Sequence, residues 1–154
     1  MRRIIEEQRL CFAATTCEDG TANLSPKGTV TVLDDDHLMF ADLASPQTVR
    51  NLRTNASIEI NVVDPVIRKG FRFKGRGMVF DPGERFDQLL ESSFASGSRA
   101  VRDAKARIRH IVVIEVERAL PLVSPAYDED VTQAEVSARW ERYFQELWEA
   151  RRHS

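Results

Sequence analysis

The chain is 154 residues long, 42% hydrophobic and 30% charged, with charges that nearly cancel to −2, which predicts one domain over residues 1–154 with a real core. Without a strong net field it is not a general polyanion binder, so nucleic acid would need a local patch. No apolar run approaches the roughly 20 residues of a membrane span, and the amino end carries no signal-peptide stretch, which predicts a soluble, cytoplasmic protein with no membrane contact.

Arg3 to Gln8 reads as a short charged helix, and Leu10 to Thr16 (LCFAATT) as a buried strand. Cys11 and Cys17 sit in or beside that strand with no CxxC pair and no histidine cluster, so both are expected as small core residues rather than as a metal site or a disulfide. Glu18-Asp19-Gly20-Thr21 turns the chain, and Asn23 to Thr29 (NLSPKGT) interrupts the pattern with amide, hydroxyl and ammonium donors. Gly28 to Leu33 (GTVTVL) alternates as a strand, Asp34-Asp35-Asp36 turns, and His37 to Ala41 (HLMFA) follows as the next strand of an antiparallel meander.

Ser45-Pro46-Gln47-Thr48 starts a helix, with Ser at the cap and Pro in the first turn; Val49 and Leu52 face inward, and Asn55 ends it. Ser57 to Val63 alternates, placing Ile58, Ile60 and Val62 on one face. Beyond Asp64-Pro65, Gly70 to Phe80 forms a long strand in which Gly75 and Gly77 predict a bulge or a close approach of another backbone. Within it Phe71 and Phe73 share one face and Arg72, Lys74 and Arg76 the other. Such a basic and aromatic strand can bind single-stranded nucleic acid, but the alternation turns its aromatics to the core, and no nucleic acid partner is expected.

After Pro82-Gly83, Phe86, Leu89, Leu90 and Phe94 recur at helical spacing, Ser96 to Ala100 reads as loop, and His110 to Val116 (HIVVIEV) is strongly strand-like. Ala119 to Val123 extends or pairs with that strand, although Pro121 weakens it. Thr132 and Glu135 form a capping box for a carboxy-terminal amphipathic helix, residues 131–153, with Val136, Trp140, Tyr143, Phe144, Leu147 and Trp148 on one stripe. That stripe packs either on its own barrel or across a second subunit. The fold class is α+β: a mainly antiparallel barrel of six or seven short strands with three or four peripheral helices.

Familiar catalytic signatures are missing: there is no GxSxG, P-loop, HExxH or GxGxxG opening a helix. His37, His110 and His153 are far apart in sequence and none has a ligand at helical spacing, so no metal is expected. A barrel with no acid, base or nucleophile of its own is a candidate to hold a cofactor that carries the chemistry. The helix start at Ser45 to Thr48 offers amide groups and hydroxyls to an anion. Lys27 is either a solvated loop lysine or a cation for a phosphate or a polarised ring.

In order, the segments LCFAATTCEDGTANLSPKG, TVTVLDDDHLMFADLASPQTVRNLRTNASIEINVVD and GFRFKGRGMVF, and more faintly HIVVIEV, resemble the FMN-binding split-barrel superfamily of pyridoxamine-phosphate oxidase over residues 4–118. The resemblance implies FMN as cofactor, its phosphate held by Ser45, Pro46, Gln47 and Thr48, with Ser25, Pro26, Lys27 and Gly28 running beside the ring and ribityl chain. Relatives often carry a Lys or Arg just before the position of Thr48, where this chain has Gln47, which weakens phosphate binding unless Lys27 or a basic residue of a neighbouring strand compensates. The resemblance further implies a homodimer with flavin at the subunit interface, and an oxidoreductase or electron carrier working with small-molecule donors and acceptors. The alternatives are a non-enzymatic flavin-binding module and the same fold holding a deazaflavin or haem. A true pyridoxamine-phosphate oxidase is not expected, because the stretch Ser124 to Asp130 that follows the last strand is acidic (Asp128, Glu129, Asp130) where a dianionic substrate needs cations.

Overall fold

The computed structural model describes residues 1–95, 105–128 and 130–152, with the side chains of residues 94 and 95 excepted. The expected loop at 96–100, the inward Phe94, Glu129 and His153 lie outside the described residues. In chain order come α1 (Arg2–Gln8), β1 (Cys11–Thr16), β2 (Ala22–Lys27), β3 (Thr31–Val32), β4 (His37–Asp42), α2 (Pro46–Thr54), β5 (Ser57–Asp64), β6 (Lys69–Phe80), α3 (Glu84–Ala95), β7 (His110–Val123) and α4 (Gln133–Arg152). The strands form one seven-stranded antiparallel sheet in the order β2-β1-β5-β6-β7-β4-β3, curled into a half-barrel.

Alternation along the strands decides what the barrel encloses. Cys11, Ala13, Ile58, Ile60, Val62 and Phe73 point inward and meet Leu38, Phe40, Val112 and Ile114, with Ile5 of α1 closing over them. The paired strands β4 and β7 carry a second apolar face, Met39, Ala41, Ile111 and Val113, which receives Phe86, Leu89 and Leu90 of α3. Burial on both faces is why HLMFA and HIVVIEV read as continuous apolar runs. Between Lys74 and Gly75 the β6–β7 register shifts. A Cβ at Gly75 would run into the Glu115 carbonyl, and one at Gly77 would come within 2.9 Å of Leu52 Cδ2, so these glycines permit the bulge and the packing of α2. Pro121 is accommodated because β4 pairs with β7 only as far as Glu115, leaving β6 as the neighbour of the strand beyond it.

The segment Asn23 to Lys27 is not an interruption but the body of β2, paired residue by residue with β1 from Cys11↔Lys27 to Thr16↔Ala22. The expected strand Gly28 to Leu33 shrinks to Thr31–Val32. Proline at position 26 argues against a strand unless that strand is an edge, and β2 is an edge. Only Cys11 of the two cysteines is a core residue; Cys17 is half-buried beside α2.

Candidate functional site

β2 and β3 lie at opposite ends of the sheet order, so the chain between them must cross the mouth of the half-barrel. Two side chains tie this crossing to β4. Thr29 Oγ1 donates to the Ala41 carbonyl at 2.8 Å and accepts from the Ala41 amide at 3.1 Å. Lys27, only 3% exposed, extends across the seam, where its ammonium donates to Ser25 Oγ and, at 2.9 Å, to Ser45 Oγ, and lies 5.4 Å from the centre of the Phe40 ring. It is therefore not a solvated loop lysine. Burial pushes its pKa down to about 8, against which the Asp42 carboxylate acts by favouring the charged form.

Asp42 is 1% exposed and uses both of its oxygens. Oδ1 accepts the Ser45 amide at 2.8 Å. Oδ2 accepts from His110 Nδ1 at 3.0 Å, the carboxylate being acceptor-only. His110 Nε2 lies 3.4 Å from Asp81, which Arg53 also reaches at 2.6 Å. Ser45 occupies the N-cap of α2 but makes no side-chain cap bond. The expected capping role is displaced because its hydroxyl is taken by the buried ammonium of Lys27.

Under the same helix start runs a polar seam. Asn23 Nδ2 donates to Thr15 Oγ1 at 3.1 Å and to Thr48 Oγ1 at 3.3 Å, while Asn51 Nδ2 donates to Thr15 Oγ1 at 3.0 Å and Gln47 Nε2 donates to Asn51 Oδ1 at 2.7 Å. The Thr48 hydroxyl is thus buried against β1 and β2 rather than open to solvent. Gln47 Oε1 accepts from Arg50 Nη2, so a cation stands one turn along α2 on the side chain that replaces the expected basic residue.

Of the residues singled out from sequence, Ser25, Lys27 and Ser45 form one hydrogen-bonded cluster, and Gln47 and Thr48 sit on the adjoining network. Pro26, Gly28 and Pro46 are exposed at its border. Sequence reasoning missed Asp42, His110 and Arg50. Asp42 and His110 are 68 positions apart and meet only because β4 and β7 place them directly opposite each other; Arg50 was legible as the i+3 neighbour of Gln47. A cavity of about 410 Å³ opens elsewhere, between Arg2 of α1, the Asp34–His37 turn and Arg118 of β7.

An ammonium, two hydroxyls and the amino end of a helix make a donor set suited to a phosphate monoester, so the residues present fit the phosphate end of FMN. A family model described as pyridoxamine 5'-phosphate oxidase matches residues 1–122, while no curated protein matches the chain. Among solved structures, the chain is similar to HupZ of Group A Streptococcus, with 26% identity, a TM-score of 0.67, and coverage of 80% of this chain and 92% of that one. It also shares its fold with an FMN-binding protein from Syntrophomonas wolfei (16% identity, TM-score 0.59, covering 80% and 88%) and with an F420 reductase (18%, 0.56, covering 77% and 94%).

Proposed function

This chain belongs to the pyridoxamine 5'-phosphate oxidase family, and from that premise we propose that it is an FMN-binding flavoprotein, an oxidoreductase or electron carrier serving a small acceptor. The observation that carries this reading is the buried Lys27 ammonium joined to Ser25 and Ser45 at the start of α2. Burying a cation costs stability unless something anionic repays it, and Asp42 repays it only in part, since the pKa remains depressed. In this reading the FMN phosphate takes hydrogen bonds from Lys27, Ser25, Ser45 and the α2 amides of Gln47 and Thr48, Arg50 adds charge from outside, and Pro26 and Gly28 border the ring. FMN, when bound, supplies hydride or single-electron transfer; the chain's own residues bind, orient and shield it.

A homodimer belongs to the same proposal. Phe12, Leu24 and Val63 are 43%, 66% and 43% exposed on the outer faces of β1, β2 and β5, and Phe12 is paired directly with Pro26. A second copy covering that face would bury an apolar patch beside the cofactor site. Pyridoxamine phosphate is not the proposed substrate, because Asp128 and Asp130 precede α4 where a dianion would need cations.

The visible spectrum of freshly purified protein, followed by reduction with a nicotinamide donor, tests this. Oxidised flavin bands that bleach with turnover are expected. Bands that never bleach leave a flavin-binding module, and a deazaflavin or haem spectrum replaces FMN on the same fold. Sustained conversion of pyridoxamine phosphate to pyridoxal phosphate would overturn the substrate exclusion.

A further inference from the structure

Lys27 does not hold its place alone. The groups facing it are Ser25 from its own strand, Phe40 and Asp42 from β4, and Ser45 from the loop before α2; His110 of β7 stands behind Asp42, with Asp81 on its other ring nitrogen and Arg53 on Asp81. Resting on the FMN reading above, we propose that Asp42 and His110 are positioning residues for the phosphate site: Asp42 fixes the Ser45 amide and is the counter-charge of Lys27, and His110 fixes Asp42.

The geometry supports each link. Ser45 N to Asp42 Oδ1 at 2.8 Å sets where α2 begins, in place of a cap bond from Ser45 itself. With Ser45 so placed, its hydroxyl meets the Lys27 ammonium at 2.9 Å. The cross-strand pair Asp42↔His110 aligns the imidazole on the remaining carboxylate oxygen at 3.0 Å, so that oxygen is satisfied although it is buried. Without Asp42 the ammonium would lose the charge that favours its protonated form, and its titration would move to lower pH. Phosphate binding would then fade at a lower pH than in the wild type.

The test uses the whole chain and three variants. Asp42→Asn keeps an acceptor for Ser45 and removes the charge; His110→Leu removes the donor to Asp42; His110→Gln keeps a donor. Two quantities are read: the titration of the Lys27 side chain by carbon NMR without ligand, and the ratio of affinities for FMN and riboflavin, which differ only in the phosphate. In Asp42→Asn the Lys27 midpoint is expected to fall and the FMN preference to drop about tenfold or more. His110→Leu should show the same trend and His110→Gln should restore the wild-type values. A merely structural role would weaken both flavins together. Unchanged Lys27 titration in both Asp42→Asn and His110→Leu would overturn the proposal. Equal wild-type affinity for FMN and riboflavin would instead sink the phosphate placement, which the NMR titration does not depend on.

Discussion

The seam at the start of α2 and the stripe of α4 are built on opposite principles. The seam buries polar and charged groups, Lys27, Asp42, Thr48 and Asn51, and gives each a partner inside the chain. The stripe is apolar and largely unburied: Val136 is 3% exposed, but Tyr143 and Trp148 stand 49% and 64% open. Trp140 is where the two halves of α4 divide, with the Arg68 guanidinium 4.1 Å from its ring and Lys69 donating to Gln133 at 3.1 Å nearby. From it onward Trp140, Tyr143 and Phe144 meet edge to face, with the Trp140–Tyr143 and Tyr143–Phe144 ring centres each 5.4 Å apart. A costly buried charge points to a ligand, whereas an apolar stripe points to packing against another surface.

The sharpest way to break this contrast is Lys27→Met. It should cut the preference for FMN over riboflavin by about 10- to 100-fold, as for a lost charge-assisted contact, while raising the unfolding free energy near neutral pH by about 1–3 kcal/mol. The sign follows from linkage. The folded pKa of about 8 lies below the ordinary lysine value of 10.5, so the unfolded chain holds the extra proton between those values and wild-type stability from this group rises with pH across that window. The advantage of Lys27→Met in thermal or denaturant unfolding should therefore shrink between pH 8 and 10.5. A destabilised variant that keeps the full wild-type preference for FMN would break the account of the seam.

On the stripe, Trp140→Ala should cost about 1–2 kcal/mol through the lost ring and guanidinium contacts. Trp148→Ala should change monomer stability by less than about 0.5 kcal/mol. Denaturant titration of both variants checks the division of α4; equal costs would erase it. Thr48→Ala removes the acceptor of Asn23 in the seam and should cost about 1 kcal/mol of stability. Its FMN affinity should fall less than that of Lys27→Met, because the hydroxyl faces β2.

The difference in legibility between fold and site has a physical cause. Strands β1, β4, β5, β6 and β7 follow from alternation and apolar runs, and the bulge at Gly75 and the close approach of α2 at Gly77 were visible in the two glycines. β2 was hidden because Asn23, Ser25, Pro26 and Lys27 look like loop residues; as an edge strand closing the mouth of the barrel it needs polar side chains for the seam rather than an apolar face. Ser45, Gln47 and Thr48 were readable as a helix start, a local pattern. The Asp42–His110 pair was not, since only the β4–β7 register creates it.

The most direct measurement is a pair of equilibrium titrations of the wild-type protein with FMN and with riboflavin at neutral pH, followed by flavin fluorescence. If the Lys27 seam holds the phosphate, FMN binds more tightly by about 100-fold. Equal affinities for the two flavins would contradict the account at its centre.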